Sequence, residues 1–129
     1  MGKTVLVYIP CHRDFSQAVK QAEELRGGFS QYLQEPNRLF DQMDIIVSVN
    51  NYEPNSDEKD HALEFCDEIY FYGSALLADV NISQGFLVAL RRKPEIFWLL
   101  SANDLLLPGS FKTVLKAVSY THLTLPTKA

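Results

Sequence analysis

Two spacings of apolar residues alternate along this 129-residue chain. Thr4–Ile9 is β-branched and apolar without polar alternation, as in a central parallel strand, and Pro10 predicts its end. Phe15, Ala18, Val19, Ala22 and Leu25 then recur on one helical face. Gly27-Gly28 predicts a stop or kink, Phe29–Leu33 a brief resumption, and Pro36 the end of that helix. Ile45–Val49 reads as a second buried strand, closed by the turn residues Asn50–Asn55. Asn55 with Glu58 three residues on forms a capping pair for a helix reaching about Cys66. Ile69–Tyr72 is a short third strand, and Gly73–Asp79 reads as a loop whose apolar Ala75-Leu76-Leu77-Ala78 fits no period. Asn81 and Gln84 predict another capped helix, with Ile82, Phe86, Ala89 and Leu90 as its apolar face. Ile96–Leu100, bounded by Pro94 and a polar turn, predicts a fourth strand buried on both faces. Pro108 and Gly109 open a last helix.

Strands alternating with helices imply an α/β fold, Rossmann-like and three-layered, with a mostly parallel sheet. The chain shows no internal repeat, low-complexity tract or linker. The final helical pattern through Phe111, Val114 and Leu115 breaks off, and Val118–Thr127 resembles the translation of a transposase adapter used in sequencing libraries. Residues 1–117 are therefore expected to form the domain and 118–129 a non-native tail, with the sheet truncated after about four strands. Such a cut leaves a sheet edge or a helix face uncovered.

Composition narrows the function classes. The formal net charge of −4 offers no electrostatic footprint for nucleic acid. No basic amphipathic stripe suits a membrane surface. No apolar run approaches the roughly 18 residues of a transmembrane segment. The apolar start is too short for a secretory signal core of about 7–15 residues, and no cleavage site follows, so a cytoplasmic location is expected. Cys11 and Cys66 lack metal spacing and read as buried thiols.

Ligands of open α/β sheets sit at the carboxyl ends of the strands. Those positions are Pro10-Cys11-His12-Arg13, Asn50-Asn51, Gly73–Asn81 and Ser101–Asp104. They supply amides, neutral hydrogen-bonding groups, one Arg and two Asp, which suits a phosphate-bearing ligand with a polar base or sugar. Arg13 can meet phosphate with its forked donors, and the amides opening the Asn81 helix favour an anion. Equally, Arg13 can be a solvated helix-start residue, and Asn50 and Asn51 plain turn formers. A dinucleotide site is disfavoured, because no Gly-x-Gly-x-x-Gly follows the first strand and no phosphate-cradling Gly-rich loop ends in Lys-Ser or Lys-Thr. Cys11 and His12 are adjacent, so their side chains diverge; a reactive Cys11 at a helix start is a minor alternative.

Four segments, in order, resemble glycosyltransferase family 2, the nucleotide-diphospho-sugar transferases of GT-A fold. They are Val5–Arg13, Ile45–Asn51, Asn81–Leu90 and Ile96–Gly109. The resemblance spans roughly residues 4–117. It implies transfer of a sugar from a nucleotide-diphospho-sugar donor to an unknown acceptor, with inversion, by a general base beyond Ala117. It assigns Pro10, His12, Arg13, Asn50, Asn51, Asp79 and Ser83 to the nucleotide. Ser101, Asn103 and Asp104 would lie at the diphosphate and a Mn²⁺ or Mg²⁺ ion. The departures are as informative. Ser101 and Asn103 stand where the family carries carboxylates, so metal affinity is expected to be weakened. Asn50 stands where an Asp is usual. The chain is then an incomplete, inactive fragment of an enzyme. The rival is a non-catalytic domain of the same fold that binds nucleotide-sugar or a protein partner. A receiver-like or flavodoxin-like domain is a third reading, but a receiver needs an acidic pair after its first strand, and Pro10-Cys11-His12 supplies none.

Overall fold

A computed structural model describes residues 3–36, 38–72, 78–101 and 110–124. The elements are β1 (Lys3–His12), α1 (Ser16–Tyr32), β2 (Phe40–Asn50), α2 (Ser56–Leu63), β3 (Glu68–Tyr72), α3 (Ala78–Arg92), β4 (Ile96–Leu99) and α4 (Ser110–Thr124). All four strands are parallel, in the order β3-β2-β1-β4. This is the α/β, Rossmann-like arrangement that the alternating periods imply.

The strand alternation of β1 sorts the core into two layers. Val5, Val7, Ile9 and Cys11 face one side with α1, α4 and Ala62 of α2, and this layer holds most of the buried apolar residues. Leu6 and Tyr8 face the other side with Ile46 and Val88 of α3. Among the described residues α3 is the helix that covers this second face. Its approach is close, because a Cβ on Gly85 would lie 2.6 Å from the Tyr8 ring. The Tyr8 hydroxyl donates to the Asn81 carbonyl at 2.9 Å and to Asn81 Oδ1 at 3.1 Å. Ser48 Oγ donates to the same Oδ1 at 2.6 Å, and Asn81 Nδ2 donates to the Ser48 carbonyl at 3.3 Å. A buried polar group must be paired in this way or its desolvation is uncompensated.

Several local expectations change. Helix α1 runs unbroken through Gly27-Gly28, because Leu25, Gly28, Phe29 and Tyr32 continue the buried face and Gly28 admits Phe111. Asn81 is not a cap: α3 begins at Ala78, and the Asn81 side chain is spent on Tyr8 and Ser48. The Asn55–Glu58 capping box does form, but α2 ends at Leu63. Strand β4 is not buried on both faces. It pairs only with β1 among the described strands, Ile96, Phe97 and Trp98 are half-buried, and Leu99 is exposed. Helix α4 continues to Thr124, with Val118 against the core and the buried Ser119 hydroxyl 2.5 Å from the Tyr32 hydroxyl. Phe86 and Leu90, read as part of the apolar face of α3, are exposed together with Leu87; the face that packs on the sheet runs through Asn81, Gly85 and Val88 instead.

Pro10 does not end β1. The carbonyls of Thr4 and Tyr8 accept from Glu95 and Leu100 on the β4 side. By the two-residue period of a strand, Pro10 turns its missing N–H to that side, where pairing has stopped at Tyr8 with Leu99. The ladder to β2 therefore continues to His12 opposite Asn50.

Gly85→Ala is expected to destabilise the fold. Helix propensity favours Ala by about 1 kcal/mol, but overpacking against a hydrogen-bonded Tyr8 costs roughly 1–3 kcal/mol; the urea midpoint should fall. A second expectation concerns alkaline pH. Burial pushes Cys11 and Cys66 from 9.0 up to about 12, and Tyr8 from 10.0 up to about 12. These raised values make stability fully present below pH 9.0 and progressively lost as pH rises towards 12. Urea midpoints across that range should show the fall, and in Cys11→Ala/Cys66→Ala its onset should move up towards 10.0, where Tyr8 of the unfolded chain begins to titrate.

Candidate functional site

The order β3-β2-β1-β4 reverses direction between β1 and β4, the switch point at which open sheets bind ligands. Strands β1, β2 and β3 finish level with one another at this end, His12 opposite Asn50 and Asn50 opposite Tyr72. The next residue of β1 and that of β2 turn left-handed, Arg13 at φ 63° and Asn51 at φ 61°. The Arg13 amide donates to the Asn50 carbonyl at 2.8 Å, and the Asn51 amide to the Tyr72 carbonyl of β3 at 2.9 Å. A left-handed Arg costs about 1–2 kcal/mol, whereas Asn tolerates it better. Two such residues side by side at strand ends form a ledge with both side chains set at its rim.

Beyond the ledge a groove of about 1020 Å³ lies between α1 and α2. Phe15, Val19 and Tyr52 provide its apolar surface, and Arg13, Asp14, Lys20, Glu23, Glu53 and Glu58 its charges. Tyr52 is held in place. Its hydroxyl donates to Glu58 Oε2 at 2.8 Å, and its ring lies 5.8 Å from that of Phe15. Phe15 in turn meets Phe71 edge-on at 5.6 Å. Hydrogen bonding to Glu58 also raises the Tyr52 pKa. Asp14 closes an Asx turn, accepting from Ser16 Oγ at 2.6 Å and Ser16 N at 2.9 Å. Those bonds hold its carboxyl below the ordinary value, so it is charged at neutral pH.

The residues expected to bind a nucleotide fall into groups. Pro10, His12, Arg13, Asn50 and Asn51 meet at the ledge. His12 and Arg13 are exposed, while Asn50 is only 4% exposed. Ser83 is exposed on α3, and Asp79 belongs to the first turn of that helix. Ser101 is exposed on the opposite side of β1, just after Leu100, whose amide bonds the Tyr8 carbonyl; its own carbonyl accepts from Gln21 at 2.9 Å. It therefore emerges lower than the ledge. Asn103 and Asp104 lie outside the described residues. Among the described residues no group of three His, Cys, Asp or Glu is placed to hold a metal ion. Cys11 faces the core with its thiol pushed up to about 12, the opposite of an activated thiolate.

Tyr52, Glu53, Glu58 and Lys20 did not stand out in the sequence. Tyr52 sits inside an Asn- and Pro-rich turn, and Glu58 reads only as a capping residue. Lys20 sits on the polar side of an ordinary amphipathic helix. The turn puts Tyr52 in the groove wall only because Glu58 serves both the cap and the phenol.

No family model, curated protein or solved structure matches the chain.

Arg13→Gly should relieve the left-handed strain. The gain of about 1–2 kcal/mol exceeds the roughly 0.4–1 kcal/mol lost through a more flexible unfolded chain. Its urea midpoint is expected to match or exceed the unsubstituted protein's; a clear fall would contradict the strain.

Proposed function

We propose that this chain is the nucleotide-binding half of a GT-A-like glycosyltransferase, taking a nucleotide-diphospho-sugar at the ledge of β1 and β2. The paired left-handed residues Arg13 and Asn51, at the ends of β1 and β2 beside the switch point, carry this reading. Strain at a polar, exposed residue persists where a site uses the side chain it aims. The Arg13 guanidinium suits a phosphate, bonding two oxygens through its fork. The Asn51 amide offers a donor and an acceptor to a base or ribose. The first turns of α3, anchored through Asn81 above Tyr8 and Ser48, direct backbone amides towards the same end of the sheet and favour an anion there.

The donor set would hold a resident Mn²⁺ or Mg²⁺ ion only weakly. Ser101 and Asn103 are neutral, leaving Asp104 as the one carboxylate of that stretch, and hard cations need several anionic oxygens. Charge on the diphosphate is therefore assigned to Arg13 and the α3 amides. Sugar transfer needs a base to take the acceptor proton, and the resemblance puts that base beyond Ala117. Loss of the motif carboxylates favours a second reading, a non-catalytic domain of the same fold that retains nucleotide-sugar binding.

Titration calorimetry with UDP- and GDP-sugars, with and without Mn²⁺, tests the proposal. Binding is expected in at least one series. Arg13→Gly should weaken it about tenfold or more, the loss of one charge-assisted contact, without loss of stability. Absence of heat in every series would overturn the reading. Binding that gains with Mn²⁺ supports the enzyme; binding indifferent to it supports the non-catalytic domain.

A further inference from the structure

The groove between α1 and α2 has a character that the ledge lacks. It meets the ledge only at Arg13 and Asn51 and otherwise runs away from the switch point, along Phe15–Glu23 on one side and Tyr52–His61 on the other. Its volume of about 1020 Å³ reaches the upper end of the range for small-molecule sites. Four carboxylates line it, from Asp14, Glu23, Glu53 and Glu58, against two permanent cations, Arg13 and Lys20. The charge of Lys20 acts on Asp14, which offsets one pair. Glu58 already accepts from Tyr52 and Asn55. The Glu23 and Glu53 side chains are exposed, and their carboxylates make no hydrogen bond or ion pair among the described residues. The carboxylates are also dispersed, for no three acidic or metal-ligating side chains among the described residues converge on a metal position. A surplus of negative charge spread around an aromatic surface is met by an organic cation, whose charge sits on an apolar body. The Tyr52 ring offers a face for such a cation, and its hydroxyl bond to Glu58 fixes that face in place.

We infer that this groove is a binding site for a small organic cation, an amine or amidinium carried on an aromatic or aliphatic body. The apolar body lies against Phe15, Val19 and Tyr52, and the cationic group lies between Glu23 and Glu53. An anion of the same shape meets the surplus carboxylates instead and is rejected. The inference does not rest on the nucleotide reading, although the two sites share Arg13 and Asn51.

The test uses benzamidine, with benzyl alcohol and benzoate as its neutral and anionic counterparts, titrated into the ¹⁵N-labelled chain and followed by amide shifts. Benzamidine should shift amides of residues 13–23 and 51–61 and bind tightest, benzyl alcohol about threefold weaker, and benzoate weakest. The Glu23→Gln/Glu53→Gln double variant, altered only at exposed positions, should weaken benzamidine about threefold to fivefold and leave benzyl alcohol unchanged. Tyr52→Leu should weaken both benzamidine and benzyl alcohol. Benzoate binding as well as benzamidine, shifts confined to other surfaces, or a double variant that binds benzamidine unchanged would each overturn the inference. UDP added to the benzamidine-saturated chain separates the two sites, since amide shifts at His12 and Asn50 report the ledge outside the groove lining.

Discussion

The anchoring of α3 by Asn81 is the contact on which the architecture turns. One amide side chain takes the hydroxyl protons of Tyr8 and Ser48 and returns a bond to the Ser48 carbonyl. That ties the helix to β1 and β2 together. Helix α3 is also the connection that carries the chain from β3, at one side of the sheet, back past β2 and β1 to β4. Without a fixed seat on the second face, nothing would direct β4 to the far side of β1, and the reversal in strand order that defines the ligand end would be lost. A polar anchor does this better than an apolar one. Burying it unpaired costs about 1–3 kcal/mol, so misplaced settings of the helix are penalised, whereas a Leu at position 81 would tolerate many.

The same anchor shows how the sequence could and could not be read. Asn before a Gln three positions on is a sound cap signal, and at Asn55 with Glu58 the signal is right. At Asn81 it fails because tertiary partners from Tyr8 and Ser48 claim the side chain, and neither partner is visible in local spacing. The order of elements was legible because apolar period separates strand from helix at every step. Their lengths were not. Strand β2 starts at Phe40, where Asp41, Gln42 and Asp44 dilute the apolar run. The Gly27-Gly28 pair looked like a stop because the closeness of Phe111, which uses the space above Gly28, is a long-range fact. Of the site, the ledge was legible from strand ends alone. The groove was not, since it is made by α1 and α2 lying beside each other and by a turn aromatic whose orientation depends on a capping glutamate.

Charge is distributed unevenly over these neighbouring surfaces. At the ledge the strained Arg13 stands out beside neutral groups; in the groove carboxylates outnumber cations. The two therefore favour ligands of opposite sign although they share a boundary at Arg13 and Asn51. At the opposite end of the strands Arg92 bridges Asp44 and Glu68. Lys3 pairs with Glu95 at the same end.

Pro10 has an effect beyond local geometry. Because its ring replaces the donor on the β4 side, a strand pairing there loses a ladder bond past the level of Tyr8, where the pairing with β4 ends. Strand β1 thus runs on past the end of its pairing with β4, to His12, with β2 and β3 beside it. A residue that looks like a strand breaker instead acts on one flank alone, and β1 carries on beside β2 to the residues proposed to meet a ligand.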